Sequence, residues 1–234
     1  MTDRSSGIWG LRKRVERMLR SEAFNDQLAD WELLPGRQVI NPLLSFLFHP
    51  EEILKWRAVT AIGVVVAHLA DSDMESARNI MRRLIWSLND ESGGIGWGSA
   101  EAMGEIMARH EGLAVEFACL LVSYTRPDGN PLENGLLERG VLWGIGRLAQ
   151  SRPRMLEGCS AFVLPYLESA DGVHRGMATW ILHGMAVQPS STLLQRLLED
   201  QSEVPLYENG TLIRCTVGNL AGRLKGRSAE TVAY

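Results

Sequence analysis

Five glycines at one phase of a repeating pattern constrain this chain more than any other feature. Gly63, Gly104, Gly146, Gly184 and Gly218 are separated by 41, 42, 38 and 34 residues. Two positions after each comes an apolar residue: Val65, Ile106, Leu148, Ala186 and Leu220. Two positions before stand Ala61, Ala102 and Gly144, then the larger Leu182 and Thr216. A period near 40 with room for two helices per unit marks a stacked helical repeat, in which each unit buries its apolar face only against its neighbours. Glycine inside a helix costs roughly 1 kcal/mol against alanine. Its recurrence therefore predicts close approach between neighbouring helices.

Each interval supplies a second helix. Residues 74–88 place Ala77, Ile80, Met81, Leu84, Ile85 and Leu88 at helical spacing. Residues 113–124, 153–167 and 190–199 serve the later units, with Arg126 to Pro131 as a loop. Upstream, residues 7–20 read as an amphipathic helix with Arg12, Lys13, Arg14, Arg17 and Arg20 off the apolar stripe. A short helix at 21–33, a connection at 37–41 and an apolar helix at 43–48 complete the N-terminal part. No segment combines period-2 alternation with β-branched enrichment, so no sheet is expected. The expected architecture is an all-α solenoid of about five two-helix repeats over 41–225, with a helical cap at 1–40 and a tail at 226–234.

Composition supports a globular chain and excludes little more. Of 234 residues, 45% are hydrophobic and 22% charged, which argues against extensive disorder. A net charge of -4 gives no overall attraction to nucleic acid or anionic membrane. Cys119, Cys159 and Cys215 are widely spaced among apolar residues, which predicts reduced core thiols and fits a reducing cytoplasm. The N-terminus lacks the apolar core of a signal peptide, and the longest apolar run, 58–70, is short for a bilayer span. The expectation is a soluble, cytoplasmic protein.

The phased small residues resemble HEAT-like repeats, including the short type of phycobilisome-lyase-related proteins; the resemblance covers roughly 41–225. It implies a right-handed, armadillo-like α-solenoid. The stretch Asn89-Asp90-Glu91-Ser92-Gly93-Gly94-Ile95-Gly96-Trp97-Gly98 is also similar to a turn of an uncharacterised bacterial subgroup of such proteins, a resemblance that implies a fold and no activity.

Two features stand out as candidate binding elements. The turn carries Asn89, Asp90 and Glu91 beside Trp97 and could hold a cation, an amine or a peptide, although such residues also build ordinary capped turns. It lacks the alternating ligands and terminal glutamate of an EF-hand. Glu101 and Glu105 lie four apart on one helix face, at phases that hold Trp143 and Arg147 in the next unit. Side-by-side stacking brings them towards Trp143 and Arg147, predicting a Glu105–Arg147 pair on an exposed, concave surface.

Protein or peptide binding at this patch is the favoured function, because Trp and Arg are frequent interface anchors. No nucleophile with an adjacent base is visible, no His-x-x-x-His pair suggests a metal, and no cofactor is expected. His183 sits at an apolar phase and is expected to be a satisfied core residue. The resemblance to lyase-related repeats implies an alternative, the handling of a small molecule such as a tetrapyrrole, or lyase-like chemistry. Nucleic-acid binding ranks third, since Glu101 and Glu105 would repel phosphate.

Overall fold

The computed structural model describes residues 4–90, 96–132 and 134–231. Among them are α1 (Arg4–Leu19), α2 (Gly36–Phe46), α3 (Glu52–Ser72), α4 (Met74–Leu88), α5 (Ser99–Arg109), α6 (Glu111–Ser123), α7 (Gly135–Ser151), α8 (Ser160–Val163), α9 (Gly172–Met185), α10 (Ser191–Leu198) and α11 (Val217–Thr231). Two strands, β1 (Glu203–Glu208) and β2 (Thr211–Thr216), lie between α10 and α11. The fold is an armadillo-like helical solenoid.

The phased helices form its inner layer: α3, α5, α7, α9 and α11 pack side by side in chain order. Their glycines sit where neighbours come closest. A Cβ on Gly104 would stand 2.4 Å from Gly144 Cα, and one on Gly146 would meet the Trp180 ring at 2.3 Å. One on Gly63 would meet Glu105 Cγ at 2.5 Å. The phase is constant while its partner changes from backbone to ring to charged side chain. In the outer layer, α4 packs on α3 and α5, α6 on α5 and α7, and α10 on α11.

α3 has 21 residues and is long and apolar enough, by length and composition, to cross a bilayer. Here it is a core helix, lying between α2 and α5, with Val59, Ala61 and Ile62 buried. α1 turns Val15 and Leu19 inward and leaves Arg12, Lys13, Arg14, Arg17 and Arg20 exposed.

Several local expectations are corrected. Helix α2 begins at Gly36 and passes through Pro42, where a connection and a later start were expected. Val39, Ile40, Leu43 and Leu44 make a buried stripe, and that burial offsets the missing N–H of proline. Residues 21–33 hold turns and a single 3-10 segment, Leu28–Trp31. The expected helix at 153–167 breaks into two 3-10 segments around the short α8, at Gly158, whose φ is 77°, and at Pro165. Helix α11 continues past residue 225 to Thr231. None of the three cysteines is buried: Cys119 is exposed, and Cys159 and Cys215 are half-buried. His183 is half-buried and its Nδ1 has no hydrogen-bond partner among the described residues; burial, with Arg227 and Arg223 nearby, holds its pKa below the usual imidazole value.

The largest correction is the hairpin, since no sheet was expected. β1 and β2 pair antiparallel from Glu203 opposite Thr216 to Glu208 opposite Thr211. Asn209 and Gly210 join them with φ of 51° and 77°, the two positive angles that a tight two-residue hairpin loop requires. Val204, Leu206 and Tyr207 are buried. Gly176 of α9 makes room for the hairpin, since a Cβ there would lie 2.4 Å from Val204 Cγ2.

Candidate functional site

The hairpin crosses the inner face and divides it. Tyr207 stacks on Trp56 of α3 at 5.1 Å with 11° between the rings, and its hydroxyl lies 3.1 Å from Thr60 Oγ1. Burial raises the Tyr207 phenol pKa, and the Thr60 hydrogen bond opposes that rise. Trp143 donates from Nε1 to the Tyr207 carbonyl at 3.0 Å. This aromatic wall of Trp56, Trp143 and Tyr207 separates two chambers.

One chamber, of about 580 Å³, lies at the N-terminal ends of α3, α5, α7 and α9. Its rim carries three large apolar side chains facing solvent: Phe48 at 44% exposure, Trp97 at 44% and Leu136 at 58%. Met177, Val173 and Pro205 continue the apolar lining. Gly98 caps α5 with φ of 75°, and a Cβ there would press on Leu47 at 3.0 Å. Gly96 packs as closely against Leu137. These two glycines seat the end of the turn against Leu47 and Leu137 and so place Trp97 on the rim.

Glu101 lies among the residues lining this chamber and is only 5% exposed. Lys55 Nζ donates to its Oε1 at 2.8 Å and also sits 4.7 Å from the Trp56 ring centroid. Gly140 on α7 leaves room for the carboxylate, since a Cβ there would be 2.6 Å from Glu101 Oε2. The chamber is thus apolar at its mouth, with the Lys55–Glu101 pair against its wall and Glu52 and Arg139 also in the lining, Arg139 donating to Asp171 Oδ2 at 2.7 Å.

The sequence-based candidates divide accordingly. Glu105 does meet Arg147, at 2.5 Å, and Glu101 and Trp143 line one chamber. The expected exposure of this face is overturned: Glu101, Glu105 and Trp143 are all buried, because the hairpin covers the groove and Lys55, Arg109 and Arg147 neutralise the carboxylates. Asn89 serves structure, donating from Nδ2 to the Ile85 carbonyl and to the Tyr124 hydroxyl, at 2.9 and 2.8 Å. Asp90 is half-buried, and Glu91 lies outside the described residues with the rest of the turn to 95. Sequence reasoning missed Phe48, Lys55, Trp56, Arg109, Leu136 and Tyr207. Arg109 alone had a local signal, four residues after Glu105 on one helix face.

Among known proteins, the chain is 34% identical over 194 residues to an uncharacterized protein of Archaeoglobus fulgidus, covering 81% of this chain and 94% of that one. The chain belongs to that protein's family. The family thus has an archaeal member, and no family model matches this sequence. A computationally designed armadillo repeat protein for modular peptide recognition shares the fold with a TM-score of 0.52 at 15% identity, over 96% of this chain and 94% of that one. An engineered protein matches over 93% of this chain and 97% of its own, with a TM-score of 0.50 at 15% identity. At such identities the likeness concerns fold alone.

Proposed function

We propose that the protein is a non-catalytic recognition module whose N-terminal chamber receives a short peptide segment of a protein partner, anchored by one or two large apolar side chains. The observation that carries this reading is the convergence of exposed Phe48, Trp97 and Leu136 on the rim of a single apolar chamber. Large apolar groups left facing solvent around a concavity are the usual mark of a binding surface. The hairpin limits the occupant to a short segment, and a lining of two cations, Lys55 and Arg139, each paired with a carboxylate, beside Glu101 and Glu52 leaves no strong preference for either charge. The peptide-recognition purpose of the designed armadillo neighbour accords with this assignment.

Selection of random displayed peptides on the immobilised protein tests it, followed by affinity measurement against Trp97→Ala and Leu136→Glu. Selected peptides should carry an aromatic or aliphatic anchor. Each substitution should weaken binding by roughly 30-fold or more, as expected for a hot spot worth about 2 kcal/mol, without changing the melting curve. Peptides that bind both variants as tightly as the parent would refute the assignment. Stoichiometric uptake of haemin, with no peptide selected, would favour the small-molecule alternative.

A further inference from the structure

The second chamber, of about 470 Å³, lies on the far side of Tyr207 towards the C-terminal halves of α3, α5 and α7, and its chemistry is different. Glu105, 3% exposed, accepts from Arg109 Nε at 2.6 Å on one oxygen and from Arg147 Nε at 2.5 Å on the other. Both arginines reach Glu105 through Nε. Among the described residues their terminal guanidinium nitrogens make no hydrogen bond, and both side chains line the chamber, about 28–29% exposed. Gly63 provides the space for this arrangement, since a Cβ there would collide with Glu105 Cγ and crowd Arg109.

The charges do not cancel. Glu105 neutralises one guanidinium, and Glu208, the other carboxylate in the lining, pairs with Arg223 at 2.8 Å and accepts from Trp180 Nε1. One positive charge is left over. A planar guanidinium fork matches a carboxylate or phosphate oxygen pair, and a shared buried carboxylate fixes both forks in advance. Trp143, Trp180 and Tyr207 form flat walls beside them, with Trp143 and Trp180 centroids 6.2 Å apart. The volume is that of a small-molecule site.

We infer that this chamber binds a small organic molecule with a flat apolar body and one anionic group, a carboxylate or a phosphate ester, held between the terminal nitrogens of Arg109 and Arg147. The site is separate from the peptide chamber, with Trp143 as a wall common to both. Calorimetric titration of the full-length protein with naphthoate, its neutral amide naphthamide, and inorganic phosphate tests the inference. Naphthoate should bind at least tenfold more tightly than naphthamide. The double variant Arg109→Lys/Arg147→Lys, which keeps the charge but loses the forks, should weaken naphthoate at least tenfold.

Glu105→Gln gives a readout of opposite sign: it removes the compensating charge, so naphthoate should bind more tightly and phosphate should become detectable. A purely structural ion-pair network would lose binding in that variant. Weakened binding in Glu105→Gln, equal binding of acid and amide, or no heat from either anion at about 10 mM with folded protein would each overturn the inference. Trp97→Ala should leave naphthoate binding unchanged, which separates this result from the fate of the peptide chamber.

Discussion

One substitution made at two glycines should have opposite effects. At Gly104 an added Cβ would stand 2.4 Å from Gly144 Cα and 2.5 Å from its carbonyl oxygen. Both are backbone atoms, so α5 and α7 must separate. Forcing an extra carbon into packed structure costs about 1–3 kcal/mol, against which alanine recovers roughly 1 kcal/mol of helix propensity. A clash with backbone at 2.4 Å belongs to the upper part of that range, about 2–3 kcal/mol, so Gly104→Ala should destabilise by about 1–2 kcal/mol net, lowering Tm by roughly 2–8 °C for a chain of this size. At Gly222, inside α11, a Cβ would meet nothing within 4 Å. Only the backbone benefit remains there, so Gly222→Ala should stabilise by about 0.5–1 kcal/mol and raise Tm by roughly 1–4 °C. Scanning calorimetry of the two variants beside the parent measures both. A Gly104→Ala protein as stable as the parent would refute the claim that close approach, and not chance, fixes the glycine phase.

Other expectations concern the acid limb and the hairpin. Asp200 accepts from Arg175 and Ser202, which hold its pKa near about 2. A depressed carboxylate stabilises the fold above its unfolded pKa and loses that contribution as pH falls, so about 2 kcal/mol should vanish between roughly pH 4 and 2. Asp200→Asn should lose it already at neutral pH and flatten the acid side of a stability–pH profile. Tyr207→Phe should cost only about 1 kcal/mol in urea denaturation, because Thr60 Oγ1 keeps its bond to the Trp56 carbonyl. Tyr207→Ala, which also deletes the ring stacked on Trp56, should cost about 3–5 kcal/mol by the same measurement. Gly210→Ala should destabilise as well, since φ is 77° and a Cβ would lie 2.0 Å from Asn25 Oδ1.

The repeat was legible because stacking writes itself at fixed intervals: small residues must recur wherever identical helices approach. The contact between Glu105 and Arg147 was legible for the same reason, since phases +1 of adjacent units are spatial neighbours. Their burial was not, because it depends on a segment outside the repeat. Glu208-Asn209-Gly210-Thr211 did carry a signal, an Asn-Gly pair fitted to positive φ between β-forming residues. The repeat reading assigned that region to a fifth helical unit and overrode it. Phe48, Trp97 and Leu136 come from three separate connections or helix starts, so only the stacking brings them together.

The hairpin also decides what kind of ligand the groove can take. Releasing Val204, Leu206 and Tyr207 to solvent, at about 1.5–3 kcal/mol per side chain, would cost roughly 5–9 kcal/mol, comparable to the whole stability of a typical domain. The hydrogen bond from Trp143 to the Tyr207 carbonyl and the Arg223–Glu208 pair add to that cost. No peptide of ordinary affinity can supply it, since about 8 kcal/mol already corresponds to micromolar binding. The hairpin is therefore part of the architecture and not a displaceable plug. A ligand must occupy one chamber or the other, and a long extended peptide cannot run through the groove end to end. Substitutions at the rim and at the arginine pair should consequently act on different ligands, with effects that add without coupling.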